Sequence, residues 1–301
     1  MKPFAYEAPE SVAAAVALLA GSGQRARPLA GGTDLLPQLR QGRWDLDFVV
    51  DIKRIAELTR IAFDAGTGLT VGSAVTCAEF CENPDVQALY PGLVDAASVI
   101  GGAAIQGRAT LGGNLCDAAP SGDSIAAMIV HGAEVIVAGP DGRRTLPVAE
   151  FCTAPGATVL ALGELVVALR VPSPQPHTGA RYLRFIPRGE MDIAVVGAGA
   201  WVALSASQQQ ITAARIALSA VAPTPLFVET AGTYLVGKAP TEAVFAEAAA
   251  LAQEAASPID DMRGTVAQRR HLVGVLVTRA LRGAIERASG PVNTGVAGKG
   301  V

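Results

Sequence analysis

The sequence predicts an α+β protein in three parts: a small α/β opening unit, a second unit of alternating strands and helices, and a closing antiparallel sheet packed with helices. Three observations carry this prediction. Helical and strand periodicities alternate as far as Val171. A proline cluster, Pro172-Ser173-Pro174-Gln175-Pro176, then interrupts the pattern. Beyond it, strand patterns come first and helical patterns second, the order of an α+β layer unit. The expected boundaries are 1–57, 58–176 and 177–289, with a flexible tail at 290–301.

In chain order, residues 11–20 form an Ala/Val/Leu run between Glu10-Ser11 and Gly21, a helix with start and stop signals. A short apolar segment at 27–30 ends abruptly at Gly31-Gly32-Thr33-Asp34, and 35–40 reads as a brief helical turn. Phe48-Val49-Val50-Asp51-Ile52 has the pattern of a buried strand. In the second unit, strands are expected at 59–63 and 68–72 around a turn at Asp64-Ala65-Gly66. Helices follow at 77–81 and 93–98, then a glycine-rich stretch from 101 to 123 that reads as a loop. A helix at 124–131, a hairpin turning at Gly139-Pro140-Asp141-Gly142 and a strand at 165–171 complete the unit. After Pro176, strands at 182–187, 192–204 and 210–220 precede helices at 225–235, 241–256 and 265–288.

Half of the 301 residues are hydrophobic and 17% are charged, which supplies a sizeable core and excludes global disorder. The mean hydropathy of +0.36 is high. Its apolar residues nevertheless fall in short runs broken by charge or glycine, well short of the ~20 that span a bilayer. The opening Met1-Lys2-Pro3-Phe4-Ala5-Tyr6-Glu7 has no basic segment leading into an apolar one, so a signal peptide is not expected and a cytoplasmic location is. A net charge of −3 gives no electrostatic reason to expect nucleic acid. Four cysteines (Cys77, Cys81, Cys116, Cys152) are too few for a disulfide scaffold, and with His131, His177 and His271 isolated they make no metal-ligand pattern. No Gly-x-Ser-x-Gly elbow or evident acid/base pair appears, so no catalytic residue is assigned.

Two glycine turns need an explanation. Ala30-Gly31-Gly32-Thr33-Asp34 follows an apolar strand. Paired glycines permit positive φ and leave amides pointing outward, a nest suited to an anion such as a diphosphate bridge. Thr33 adds a hydroxyl, and Asp34 an acceptor for a sugar hydroxyl or for backbone amides. The plainer alternative is a tight turn in which Asp34 caps the helix starting at Leu35. The second turn, Arg108-Ala109-Thr110-Leu111-Gly112-Gly113-Asn114, is followed by Ala119-Pro120-Ser121-Gly122-Asp123. Asn114 can donate and accept near a ring or ribityl chain, and Asp123 can accept from a hydroxyl. The alternative here is a long structural loop, although such loops in compact domains are usually functional. Two turns able to reach one extended ligand point to a dinucleotide. By contrast, Val195-Val196-Gly197-Ala198-Gly199-Ala200-Trp201-Val202 fails as a Rossmann fingerprint. Val202 replaces the third glycine and Ser219 stands where a ribose-binding acid belongs, so a strand is expected there.

Together the two glycine motifs resemble the paired FAD motifs of the FAD-binding (medium) subunits of molybdenum hydroxylases, the group of carbon monoxide dehydrogenase, quinoline oxidoreductase and the flavin domain of xanthine dehydrogenase. The resemblance extends over nearly the whole chain, through Phe4-Ala5-Tyr6-Glu7-Ala8-Pro9, Val49-Val50-Asp51-Ile52, Ile105-Gln106-Gly107-Arg108-Ala109-Thr110, Gly163-Glu164-Leu165, Val171-Pro172 and Arg188-Gly189-Glu190-Met191-Asp192-Ile193-Ala194. It implies two FAD-binding subdomains of the vanillyl-alcohol-oxidase type followed by a C-terminal α+β domain. On the resemblance, Leu29, Ala30, Gly31, Gly32, Thr33, Asp34 and Leu35 line the diphosphate and ribityl region. Thr110, Gly112, Gly113 and Asn114 do so from the second subdomain, and Asp123 holds a sugar hydroxyl. Val166 falls where the family places an aliphatic residue against the isoalloxazine, and Arg184 where a basic residue sits near the ring. Gly107 and Gln106 depart from the asparagine and arginine found in relatives. A cysteine-rich insertion for an extra iron–sulfur cluster is missing, so FAD is the one cofactor expected.

The implied activity is electron relay. A large molybdopterin subunit hydroxylates substrate, a small subunit with two [2Fe–2S] clusters carries electrons, and this chain passes them to an acceptor: NAD, a quinone, a cytochrome or oxygen. A dimer of heterotrimers is the implied assembly. The want of an acid/base pair favours electron transfer over activation of a substrate bond. The rivals are a self-contained FAD-dependent oxidase or dehydrogenase and a flavin-free assembly subunit. The first would need a substrate domain with polar catalytic groups; intact glycine pairs argue against the second.

Overall fold

The computed structural model describes residues 2–290. The tail expected from 290 onward lies, Gly290 apart, outside the described residues. In the opening unit, strands β1 (Ala5–Glu7), β2 (Ala26–Leu29) and β3 (Phe48–Asp51) form a parallel sheet in the order β1-β3-β2. Helices α1 (Val12–Ser22) and α2 (Leu35–Arg40) connect them. Ser11 Oγ accepts from the Ala14 amide at 3.2 Å and starts α1, whose Ala15, Val16 and Leu19 are buried. Strand β1 has no counterpart among the expected elements. All three of its residues are exposed, so no burial alternation marks it; pairing with β3 and a 2.5 Å bond from Tyr6 Oη to Asp51 Oδ2 hold it.

The second unit contains strands β4 (Ile61–Asp64) and β5 (Gly68–Gly72), then a run of helices: α3 (Cys77–Glu82), α4 (Pro84–Leu89), α5 (Pro91–Ala97), α6 (Ala103–Gln106), α7 (Leu111–Asp117) and α8 (Asp123–Val130). Strands β6 (Glu134–Gly139), β7 (Gly142–Pro147), the short ribbon β8 (Cys152–Ala154) and β9 (Ala157–Thr158), and β10 (Leu165–Val171) follow. The antiparallel sheet runs β4-β5-β10-β6-β7. The stretch expected as a loop at 101–123 holds two helices instead. Thr110 Oγ1 accepts the Gly113 amide at 2.8 Å, and Leu111 and Leu115, four apart, are buried on one face of α7. Paired glycines, poor helix formers, masked that signal in the sequence.

The third unit is an antiparallel sheet, β11 (Thr178–Phe185), β12 (Val196–Leu204), β13 (Ile211–Ser219) and β14 (Leu226–Phe227), in that order. Helices α9 (Glu229–Leu235), α10 (Glu242–Ala255) and α11 (Val266–Ser289) complete it. The false Rossmann segment is strand β12. It begins at 196 rather than 192 because Met191 adopts φ 53° and Asp192 turns back, accepting from the Ile193 amide at 2.8 Å and from Arg188 Nε at 3.0 Å. The helix expected at 225–235 divides into β14 and α9. Both α11 and α9 pack on this sheet, as do α5 and α8 of the second unit. Among the described residues no helix is long and apolar enough to cross a membrane.

At the end of α8, His131 Nδ1 bonds the Ala127 carbonyl at 2.8 Å beside the Tyr90 ring. Burial pulls its pKa down to about 4. The folded chain therefore takes up this proton less readily than the unfolded one, whose histidine titrates near 6.5. Stability is full above about pH 6.5 and falls by up to about 3 kcal/mol as pH drops to about 4. Thermal melting of wild type and His131→Gln across pH 4–7.5 checks this: the variant loses the part of the acid slope that His131 contributes.

Candidate cofactor site

A cleft of about 1010 Å³ opens between the first and second units, at the upper end of small-molecule sites and roomy enough for an elongated ligand. The two glycine motifs face each other across it. From one side come Ala30, Gly31, Gly32, Thr33, Asp34 and Leu35; from the other, Thr110, Gly112, Gly113, Asn114 and Val166. The backbones touch where the motifs meet. A Cβ built on Gly31 would stand 1.9 Å from the carbonyl oxygen of Arg108, the first residue of the second motif. Gly32 has φ 75°, the left-handed region that favours glycine. Gly112 sits on the end of β5, where a Cβ would come within 2.5 Å of the Ser73 carbonyl oxygen.

Asp34 is the N-cap residue of α2, as the plainer alternative has it, but its side chain makes no capping bond. Desolvation in the cleft and the nearby Asp117 carboxylate raise its carboxyl above the ordinary range, against a hydrogen bond from Thr33. Asn114 Oδ1 accepts from Ser124 Oγ at 2.7 Å, which leaves its Nδ2 donors without a partner among the described residues. Val166 is buried at a break in the β10–β6 register between Val166 and Ala168; such bulges re-aim side chains.

Three expected site residues lie outside the cleft lining. Leu29 backs Gly32, its Cδ1 2.8 Å from where a Cβ would be. Asp123 and Arg184 form a buried ion pair linking α8 to β11: Arg184 Nη1 donates to Asp123 Oδ2 at 2.7 Å, and Tyr182 Oη to Asp123 Oδ1 at 2.6 Å. Tyr182 Oη and Ser219 Oγ lie 3.1 Å apart. Burial pushes the Asp123 carboxyl up, opposed by Arg184 and Tyr182; burial and the Asp123 charge hold the Tyr182 phenol well above its usual range. The departing residues Gln106 and Gly107 also lie outside the lining, with Gln106 Nε2 donating to the Ser98 carbonyl at 2.6 Å.

Other lining residues went unnoticed in the sequence. Arg27 stacks over the Trp44 ring at 4.0 Å. Trp44 Nε1 donates to Gln38 Oε1 at 2.7 Å, and Gln38 Nε2 to Asp117 Oδ1 at 3.0 Å, tying the first unit to α7. No motif contains them, and only the rarity of tryptophan (two in the chain) sets Trp44 apart. Among the described residues, three buried side-chain polar atoms have no partner, and two of these, Ser73 Oγ and Arg27 Nε, belong to residues lining the cleft. Burial alone lowers the Arg27 pKa. Buried polar atoms are normally satisfied. A ligand rich in acceptor oxygens fits these groups and the side-chain-free glycine surfaces.

Fold and cleft together define a dinucleotide-binding protein of two facing lobes with an appended α+β unit. Comparison with known proteins gives the family. Residues 2–174 match the FAD binding domain in molybdopterin dehydrogenase, and 181–284 the CO dehydrogenase flavoprotein C-terminal domain. The carbon monoxide dehydrogenase medium chain of Hydrogenophaga pseudoflava is 35% identical, covering 95% of this chain and 98% of the relative. The xanthine dehydrogenase FAD-binding subunit of Escherichia coli O157:H7 is 33% identical, covering 95% and 97%. In structure, a chain of CO dehydrogenase from Oligotropha carboxidovorans superposes with a TM-score of 0.91 at 32% identity, covering 95% of this chain and 99% of that one. A chain of quinoline 2-oxidoreductase from Pseudomonas putida 86 gives 0.88 at 31%, covering 96% and 99%. The chain belongs to the FAD-binding medium subunits of the molybdenum hydroxylases, and it is an oxidoreductase subunit whose cofactor is FAD.

Proposed function

We propose that this chain takes electrons from the [2Fe–2S] clusters of a small subunit and passes them to an external acceptor, within a cytoplasmic heterotrimer completed by a molybdopterin-binding large subunit. Units 1–57 and 58–176 would hold FAD between them, with 177–289 appended. The observation that carries the reading is the contact of the two glycine motifs across one long cleft. When bound, FAD supplies the redox chemistry. The protein's part is to bind and orient it. Gly31, Gly32, Thr33, Gly112 and Gly113 let backbone approach the diphosphate, Ala30, Asp34, Leu35, Thr110 and Asn114 flank it, and Val166 packs on the ring. Leu29 supports the first glycine pair from behind. Asp123 and Arg184 would act from just outside the lining, Arg184 as a cation that raises the flavin potential.

The self-contained oxidase is the weaker reading. Its substrate would need the third unit, yet that sheet has helices packed on it from its own unit and from the second. Among the described residues no group of three or more His, Cys, Asp or Glu could hold a metal there or elsewhere. Affinity purification of the tagged chain from its own host, followed by cofactor and metal analysis, tests the proposal. The expected result is two further chains, molybdenum, and iron in the ratio of two [2Fe–2S] clusters per flavin. A flavin-loaded chain that purifies alone and is reduced directly by a small substrate would overturn it.

A further inference from the structure

Ser73 stands at the end of β5, where the sheet of the second unit reaches the cleft. It is 3% exposed, and its Oγ has no hydrogen-bond partner. Its amide helps fix the position, donating to the Val167 carbonyl at 2.9 Å, at the bulge beside Val166. Gly112 packs directly on it, with Ser73 Cβ 2.6 Å from where a Cβ on Gly112 would be. The side chain stands in a wall that the cleft shares with Gly112 and Val166. A buried hydroxyl left without a partner is destabilising, and alanine would fill the same space without that cost.

We infer that Ser73 is a ligand-binding residue whose hydroxyl donates a hydrogen bond to an acceptor oxygen of the bound dinucleotide, at the level of the second glycine pair. The inference rests on the cleft being the FAD site. It assigns to Ser73 a role that neither glycine motif contains, since Ser73 lies far from both in sequence and reaches the site through the β5–β10 pairing. The apo protein bears an unsatisfied group that FAD satisfies, so its removal has opposite effects on the two states.

The test measures FAD dissociation constants by titration, and melting temperatures of FAD-stripped protein, for wild type, Ser73→Ala and Ser73→Cys. Ser73→Ala is expected to raise the dissociation constant five- to tenfold while leaving the apo melting temperature unchanged or raised. Ser73→Cys, which keeps the shape but donates weakly, falls between. Equal FAD affinity in wild type and Ser73→Ala overturns the inference. So does a loss of affinity matched by a fall in apo melting temperature, which marks a packing role. A wild-type chain that binds no FAD contradicts the reading of the cleft itself, and that is seen before any variant is compared.

Discussion

Gly31→Ala yields a protein that no longer retains FAD. The added methyl would meet the Arg108 carbonyl oxygen at 1.9 Å, a backbone atom that no side-chain rotation can move aside. Only separation of the two lobes relieves the clash, and that displaces the surfaces meant to hold one ligand in common. At the upper end of overpacking costs, about 3 kcal/mol, FAD affinity falls roughly a hundredfold. Flavin absorbance per mole of purified protein, followed by titration with FAD, measures the loss. Gly21→Ala is the control: nothing lies within 4 Å of its Cβ position, and it should keep wild-type flavin content. Normal affinity in Gly31→Ala would show that the contact between motifs does not matter for binding.

The second large effect is on folding. Asp123→Ala removes the carboxylate that accepts from both Arg184 and Tyr182, and strands a guanidinium whose side chain is 9% exposed. Breaking a buried pair from one side costs about 3–5 kcal/mol, because the remaining charge is left uncompensated. The double variant Asp123→Ala/Arg184→Leu removes both charges and should recover a good part of that loss, a coupling that denaturant unfolding reads directly. Arg184→Leu alone separates the two roles proposed for the arginine. A lowered flavin midpoint potential places its charge in reach of the ring. An unchanged potential, with stability reduced, confines Arg184 to joining the third unit to the second.

Much of this was legible in the sequence because local signals agreed with the fold. Ser11 before an Ala/Val/Leu run, the alternation around β4 and β5, the apolar run of β10 and the proline cluster after Val171 each have one reading. The glycine motifs stood out in the sequence as places of close approach, and part of that need is internal: Gly31 lies against the Arg108 backbone and Gly112 against that of Ser73. What escaped notice depended on contacts between distant segments. Strand β1 is defined by its partner β3, and its exposed residues carry no pattern. Helix α7 was hidden by the same Gly112-Gly113 that marks the site. Ser73, Arg27 and Trp44 gain meaning only when folding brings β5, β2 and the segment after α2 to one cleft. Asp123 was expected at the cofactor from its place after the second glycine turn and Arg184 on the resemblance alone; the contact that links them, an ion pair between α8 and β11, carries no sequence signal.

The most direct measurement is an experimental structure of the FAD-loaded protein. Continuous density for the dinucleotide should run through the cleft, with its diphosphate against Gly31-Gly32 and Gly112-Gly113 and its ring system toward Val166. Density for FAD at any other surface, with the space between these glycine pairs left open, would contradict the account.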